Sequence, residues 1–300
     1  MSPTIGVDQV TPPEEGEVLV VVGPTASGKT ALAIALARRF GGEIVSADSV
    51  QIYRRFDVGS GKPTAEERAL ARHHLIDAVE PLGAMDAGRF AELADAAIAD
   101  IRARGLHPVV CGGTFLWIKA LLFGLAEAAP RDEVVRARHD QLARAHGRAH
   151  LHELLARVDP ASASRLAPND FIRVSRALEV HELTGRPLSD WQKDHAFAER
   201  RYRHRLLGVR RERAELDARI ELRARAWLDG GWIDEVNALV AEGYGSARAM
   251  GSVGYREVRA FLDGSLAKDA LLPTIVRSTR VFVRRQRTWL RDEPVTWLEE

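Results

Sequence analysis

The chain has 300 residues, of which 46% are hydrophobic and 28% charged, with 43 Lys+Arg against 42 Asp+Glu for a formal net charge of +1. This supplies a packed core with room for a smaller inserted domain and excludes global disorder. The single cysteine, Cys111, excludes an internal disulfide and a Cys-rich zinc site, and no run approaches the roughly 18 apolar residues of a membrane helix.

Residues 1–16 carry Pro12, Pro13, Glu14 and Glu15 and lack the basic and apolar parts of a signal peptide. They read as a disordered lead into a soluble, cytoplasmic protein. Glu17–Val22 (EVLVVV) has the β-branched run of a buried strand. A Gly-rich turn and the Ala- and Leu-rich helix 31–40 follow. Residues 43–47 predict a second strand and 48–63 a polar loop. Residues 88–104 predict a helix with Phe90, Leu93, Ala97 and Ile101 on one face. Residues 107–111 predict a third strand and 114–123 a helix. Strands alternating with helices predict a parallel α/β sheet. Residues 127–200 show only helical periodicity, broken by Pro130, Pro160, Pro168 and Pro187, and read as an all-helical insertion. A strand returns at 205–209, followed by helices at 211–228, 232–242, 254–262 and 272–291 and a short strand at 294–298. The core is therefore 17–126 with 201–300, a P-loop NTPase-like parallel sheet flanked by helices.

The segment Gly23-Pro24-Thr25-Ala26-Ser27-Gly28-Lys29-Thr30 fits G-x-x-x-x-G-K-[ST] between a strand and a helix. Its glycines let backbone N–H groups converge on phosphate oxygens, and the helix adds its positive dipole end. Lys29 reaches a terminal phosphate and the Thr30 hydroxyl holds Mg²⁺. The motif binds a polyphosphate without specifying ATP. A nucleoside triphosphatase places a carboxylate at the end of another strand; here the third strand ends Val110-Cys111-Gly112-Gly113, and Asp48 after the second strand is the nearest acid. A kinase for a nucleotide or small metabolite survives this test. The histidines His73, His74, His146, His150 and His152 have neither H-E-x-x-H spacing nor cysteine companions and read as structural. Cys111 reads as a buried strand residue. Basic runs at 200–213 and 277–291 imply separated positive and negative faces.

Six ordered segments resemble the bacterial-type tRNA dimethylallyltransferase (tRNA isopentenyltransferase) family. They are GPTASGKT, Asp48-Ser49-Val50-Gln51-Ile52-Tyr53, GSGKPT with His73-His74-Leu75-Ile76-Asp77, Gly112-Gly113-Thr114 with Lys119-Ala120-Leu121, a middle stretch and an end. The middle holds Asp159-Pro160, Asn169-Asp170, Arg173 and Arg176-Ala177-Leu178-Glu179. The end holds Gly254-Tyr255-Arg256-Glu257 and Arg285-Gln286 with Thr288-Trp289. The likeness spans residues 18–297. The sequence departs from the family at Trp117, at Arg287 and at Gly251-Ser252.

The resemblance implies alkylation of adenosine N6, immediately 3′ of the tRNA anticodon, by dimethylallyl pyrophosphate with Mg²⁺. Donors at the loop, Lys29, Thr30 and Arg256 would stabilise the leaving pyrophosphate. Asp48 would orient the amine and take its proton, and Gln51 would pair with an adenine edge. Ser49, Val50, Gly254 and Tyr255, with Asp48 and Arg256, would contact the tRNA, and Thr114 would contact the pyrophosphate or the flipped nucleotide, or cap the following helix. Arg136, the stretch Ile172, Arg173, Val174, Ser175 and Arg176, and Arg284, Arg285, Gln286 and Arg287 would hold the anticodon stem-loop. The protein is expected to act as a monomer. A P-loop kinase, or an RNA-binding switch gated by nucleotide, remains the alternative.

Overall fold

The computed structural model describes residues 6–126 and 128–298. The chain divides into two compact units, Met1–Leu122 with Arg201–Glu300, and Phe123–Arg200.

The first unit is built on six parallel strands: β1 Glu17–Val22, β2 Gly42–Ala47, β3 His73–His74, β4 His107–Gly112, β5 Arg203–Val209 and β6 Val295–Leu298. Their order is β3-β2-β4-β1-β5-β6. Residues 18–22 of β1 are fully buried between β4 and β5. That explains their unbroken apolar run, because helices cover both faces of such a sheet. The flanking helices are α1 Lys29–Phe40, α2 Ala65–Leu70, α3 Ala87–Ala103 and α4 Phe115–Phe123. The second unit contains α5 Glu133–His146, α6 Arg148–Val158, α7 Pro160–Arg165, α8 Phe171–Thr184 and α9 Leu188–His195. The first unit then resumes with α10 Arg213–Asp229, α11 Trp232–Ala241, α12 Tyr255–Leu262 and α13 Lys268–Leu290.

The second unit has its own core, formed by Leu151, Leu155, Ala163, Val174, Ala177 and Leu178. Asp159-Pro160 starts α7. The Asp159 carboxylate accepts from Ser162 N at 2.9 Å and Ser189 N at 3.0 Å, while Pro160 sits at the first helical position, where no N–H is needed.

Several expectations change. Residues 6–16 are ordered: Val10 is buried in the sheet's core cluster, and Arg205 donates to the carbonyls of Thr11 and Pro12. Residues 1–5 lie outside the described residues. The helical unit begins at Phe123 rather than 127, and Glu127 itself is outside the described residues. Helix α13 starts at Lys268, earlier than 272, and runs through Pro273. Burial of Leu271, Ile275 and Val276 on either side outweighs the one helix hydrogen bond that proline forfeits. No helix among the described residues is long and apolar enough to cross a membrane.

Candidate active site

In parallel sheets of this kind ligands meet the carboxyl ends of the strands. The turn after β1 adopts positive φ at Gly23 (148°), Ala26 (67°) and Gly28 (101°). Such alternation aims successive N–H groups into one concavity. Lys29 Nζ folds across it and donates to the Pro24 carbonyl at 2.8 Å. Burial pulls the Lys29 ammonium down to about 8, against the opposing pull of Cys111 and Asp48.

Gln286 of α13 anchors the turn. Its Oε1 accepts from Thr25 N at 2.8 Å and its Nε2 donates to the Gly113 carbonyl at 3.1 Å. The close approach needs a glycine at 113, since a Cβ there would overlap the Gln286 amide. Gln286 is buried and ties the turn to the end of β4. This corrects its expected place among the RNA contacts. Its neighbours Arg284, Arg285 and Arg287 are exposed.

A basic wall faces the turn from α10 and the residues before it. Arg211 Nε donates to the Ser27 carbonyl at 3.1 Å and Arg219 Nε to the Ala26 carbonyl at 2.9 Å. Arg223 donates to Thr25 Oγ1. Burial pulls Arg223 down to about 10, so it remains a cation at neutral pH. Arg219 and Arg223 lie four apart on one helix face. That spacing was their only signal in the sequence, and the sequence reading missed both.

The turn, Arg219, Arg223 and Asp48 line one cavity of about 610 Å³, together with Thr30, Gln51, Cys111 and the apolar Ala33, Ile44, Pro63 and Leu222. Asp48, just after β2, accepts through Oδ1 from Val50 N at 2.9 Å and Gln51 N at 3.2 Å. This turn fixes the carboxylate while its second oxygen makes no hydrogen bond among the described residues. Thr114 Oγ1 accepts from Ser49 N at 3.1 Å, joining the ends of β2 and β4. The expected adenine-pairing role of Gln51 meets a correction. Its Nε2 donates to the carbonyls of Ser60 and Gly61 at 3.3 and 2.9 Å, and Ser46 Oγ donates to its Oε1 at 3.2 Å. Burial pushes the Cys111 thiol up to about 12, which disfavours a thiolate at neutral pH.

The hard hydroxyl oxygen of Thr30 on this cavity fits a divalent cation, and the Asp48 carboxylate on the same cavity adds negative charge. Elsewhere, Glu43, His74 and Asp100 bring ligand atoms close together. Arg104 already pairs there, with Glu43 at 2.6 Å and Asp100 at 2.8 Å.

The Gly-Tyr-Arg-Glu segment departs most from expectation. Arg256 does not line the cavity around the turn. Its Nε donates to Glu257 at 2.8 Å, and it lines a separate recess with Arg248 and Arg259. Tyr255 is fully buried, and Gly254, at φ 92°, lies against the Trp232 ring. Neither presents a side chain to RNA, and the guanidiniums that meet the turn are those of Arg211, Arg219 and Arg223.

Within the second unit, helix periodicity splits the stretch expected to contact RNA. Ile172 is 78% exposed and Arg173 is exposed, whereas Val174 and Ser175 are buried, which corrects those two. Ser175 Oγ meets His139 Nδ1 at 2.9 Å. Arg136 Nε and Arg176 Nη1 both donate to Glu179, at 2.7 and 2.6 Å. Burial raises the Glu179 carboxyl, but the two arginines overcome that and bring it down to about 2. Arg136 and Arg176 are thereby engaged inside the unit rather than displayed.

The IPP transferase family model matches residues 51–293. The tRNA dimethylallyltransferase of Sorangium cellulosum (strain So ce56) is 66% identical, covering 97% of this chain and 93% of the relative. That of Anaeromyxobacter dehalogenans (strain 2CP-1 / ATCC BAA-258) is 53% identical, covering 94% of this chain and 92% of the relative. The crystal structure of the full-length tRNA isopentenylpyrophosphate transferase from Bacillus halodurans aligns with a TM-score of 0.70 at 34% identity, covering 95% of this chain and 90% of that one.

Proposed function

The chain belongs to the IPP transferase family, and we propose that it transfers a dimethylallyl group from dimethylallyl pyrophosphate to N6 of the adenosine immediately 3′ of the anticodon in tRNA. The observation that carries this reading is one cavity in which a carboxylate, Asp48, shares walls with a phosphate-binding turn, its lysine and two helix-borne arginines. A pyrophosphate at the turn would meet Lys29, Arg219 and Arg223. The apolar Ala33, Ile44, Pro63 and Leu222 suit a five-carbon chain.

In the transfer, the allylic C–O bond breaks, the N6–C bond forms, and negative charge passes to the leaving pyrophosphate. Fixed donors at the turn lower that barrier because they need no reorganisation as the charge develops. N6 loses a proton as it bonds. The second oxygen of Asp48 accepts it, while the Val50 and Gln51 amides hold the first oxygen in place. Thr30 would hold Mg²⁺, which would supply charge neutralisation at the pyrophosphate. The adenosine must leave its stack at a cost of a few kcal/mol, least in a loop. The exposed Arg284, Arg285 and Arg287, with Arg173 in the helical unit, are suited to hold the RNA backbone.

The test is to incubate the protein with unmodified tRNA, Mg²⁺ and dimethylallyl pyrophosphate, with ATP replacing the donor in a parallel reaction, and to weigh the digested nucleosides. A dimethylallyl mass gain on adenosine in the first reaction alone is expected. ATP consumption without that gain would overturn the reading in favour of a kinase. Asp48→Ala is expected to bind both substrates and to lose about 10²–10⁴-fold in turnover.

A further inference from the structure

We infer that Glu235, remote from the phosphate-binding turn, is a positioning residue for the transfer: it fixes the 57–61 loop, and through that loop Gln51 and Asp48. This rests on the function proposed above.

Glu235 Oε2 accepts two consecutive backbone N–H groups, from Asp57 at 2.8 Å and Val58 at 2.7 Å. Its Oε1 accepts the hydroxyl of the buried Tyr255 at 2.7 Å. One carboxylate therefore joins the loop to the start of α12 by three charge-assisted hydrogen bonds. The neighbouring packing holds the same pair together. The Trp232 ring lies against both Gly59 and Gly254, where any side chain would overlap it. Trp232 meets Tyr255 edge-on at 5.4 Å, and a Cβ on Gly61 would come within 2.9 Å of Trp227. The conformation of the loop leaves little slack.

The loop passes its position to the reacting group in two steps. The Ser60 and Gly61 carbonyls accept both hydrogens of the Gln51 amide, at 3.3 and 2.9 Å. The Gln51 backbone N–H then donates to Asp48 Oδ1 at 3.2 Å. The phosphate-binding turn has a separate anchorage in Gln286, Arg219 and Arg223. Release of the loop therefore disturbs the carboxylate side of the cavity and spares the pyrophosphate side. The Gly-Tyr segment acquires a role in this way: Gly254 admits the indole and Tyr255 steadies the carboxylate.

The experiment measures kcat and donor KM at saturating tRNA for full-length Glu235→Ala, Glu235→Asp and Glu235→Gln, at a temperature where circular dichroism shows each folded. Glu235→Ala is expected to lose roughly 10- to 100-fold in kcat, with donor KM within about twofold. Glu235→Asp cannot span to both partners and is expected to show the same split, which keeps the test open if the alanine variant fails to fold. Glu235→Gln offers an oxygen to the two N–H groups and an NH₂ to the Tyr255 oxygen, and is expected to recover kcat to within about threefold. Wild-type kcat in the aspartate variant, or kcat and donor affinity lost together, would overturn the inference. Amide exchange at residues 57–61 gives a readout independent of activity. Faster exchange in Glu235→Asp is expected, and unchanged exchange would defeat the inference even if the wild type transfers no prenyl group.

Discussion

Two pairs of arginines end in different places. Arg219 and Arg223 on α10 meet a backbone carbonyl and a hydroxyl of the phosphate-binding turn. In the helical unit, Arg136 and Arg176 converge on the single buried carboxylate of Glu179. The contacts of the first pair on the turn are neutral, and although Arg219 also lies 3.7 Å from the exposed Glu215, the charge of Arg223 stays available to an anion. The second pair shares one ionised partner, so one of its two charges is cancelled locally and both guanidiniums are held within the unit. Residue type was the same in both; the partner made the difference.

That contrast is open to direct attack. The largest effect is expected from Arg223→Ala, which removes a guanidinium from the pyrophosphate side and is predicted to lower kcat/KM for the donor about 10²–10³-fold. Arg176→Ala is predicted to leave donor kinetics within a few-fold and to lower the melting temperature instead. Equal kinetic damage from the two variants would erase the distinction. Next comes Glu179→Gln, which strands two arginines and is predicted to cost about 3 kcal/mol in denaturant unfolding. The sign with pH follows from the carboxyl lying at about 2 when folded against 4.5 when unfolded. Its stabilisation is full above about pH 4.5 and drains away as pH falls toward 2. Acid exchange measurements on α8 should show that slope in the wild type and lose it in Glu179→Gln.

The smallest effect sharpens the other side. Lys29 is protonated below its folded value of about 8, and an anionic donor binds that form. Donor KM is therefore predicted to climb above pH 8, approaching about tenfold per pH unit as binding must take up a proton. Lys29→Arg should flatten that rise, because a guanidinium stays charged. A wild-type KM flat to pH 9.5 would show that Lys29 does not meet the donor.

The legible part of the site was local. The run from β1 through the turn to α1 declared itself because strand, glycines, lysine and helix adjoin in the chain. Asp48 was found for a similar reason, as the one carboxylate closing a neighbouring strand. Contacts made across the sheet left little trace. Gln286 lies 261 positions from the Thr25 it holds, and Arg219 and Arg223 look like ordinary surface residues of a charged helix until α10 is laid along the turn. Tyr255 sits in the segment marked for RNA contact, yet an apolar ring between Trp232 and Phe56 gains more from burial than from solvent.

What the sequence by itself determined was the order of strands and helices, the phosphate-binding turn, the helical unit and the family. Periodicity and adjacent motifs act over a few residues and need no partner to be read. The tertiary structure alone decided which arginines face the turn, which are held by Glu179, and that the Gly-Tyr segment clamps a loop. The reach of a side chain depends on what packs against its helix, and that is set by elements far away in the chain.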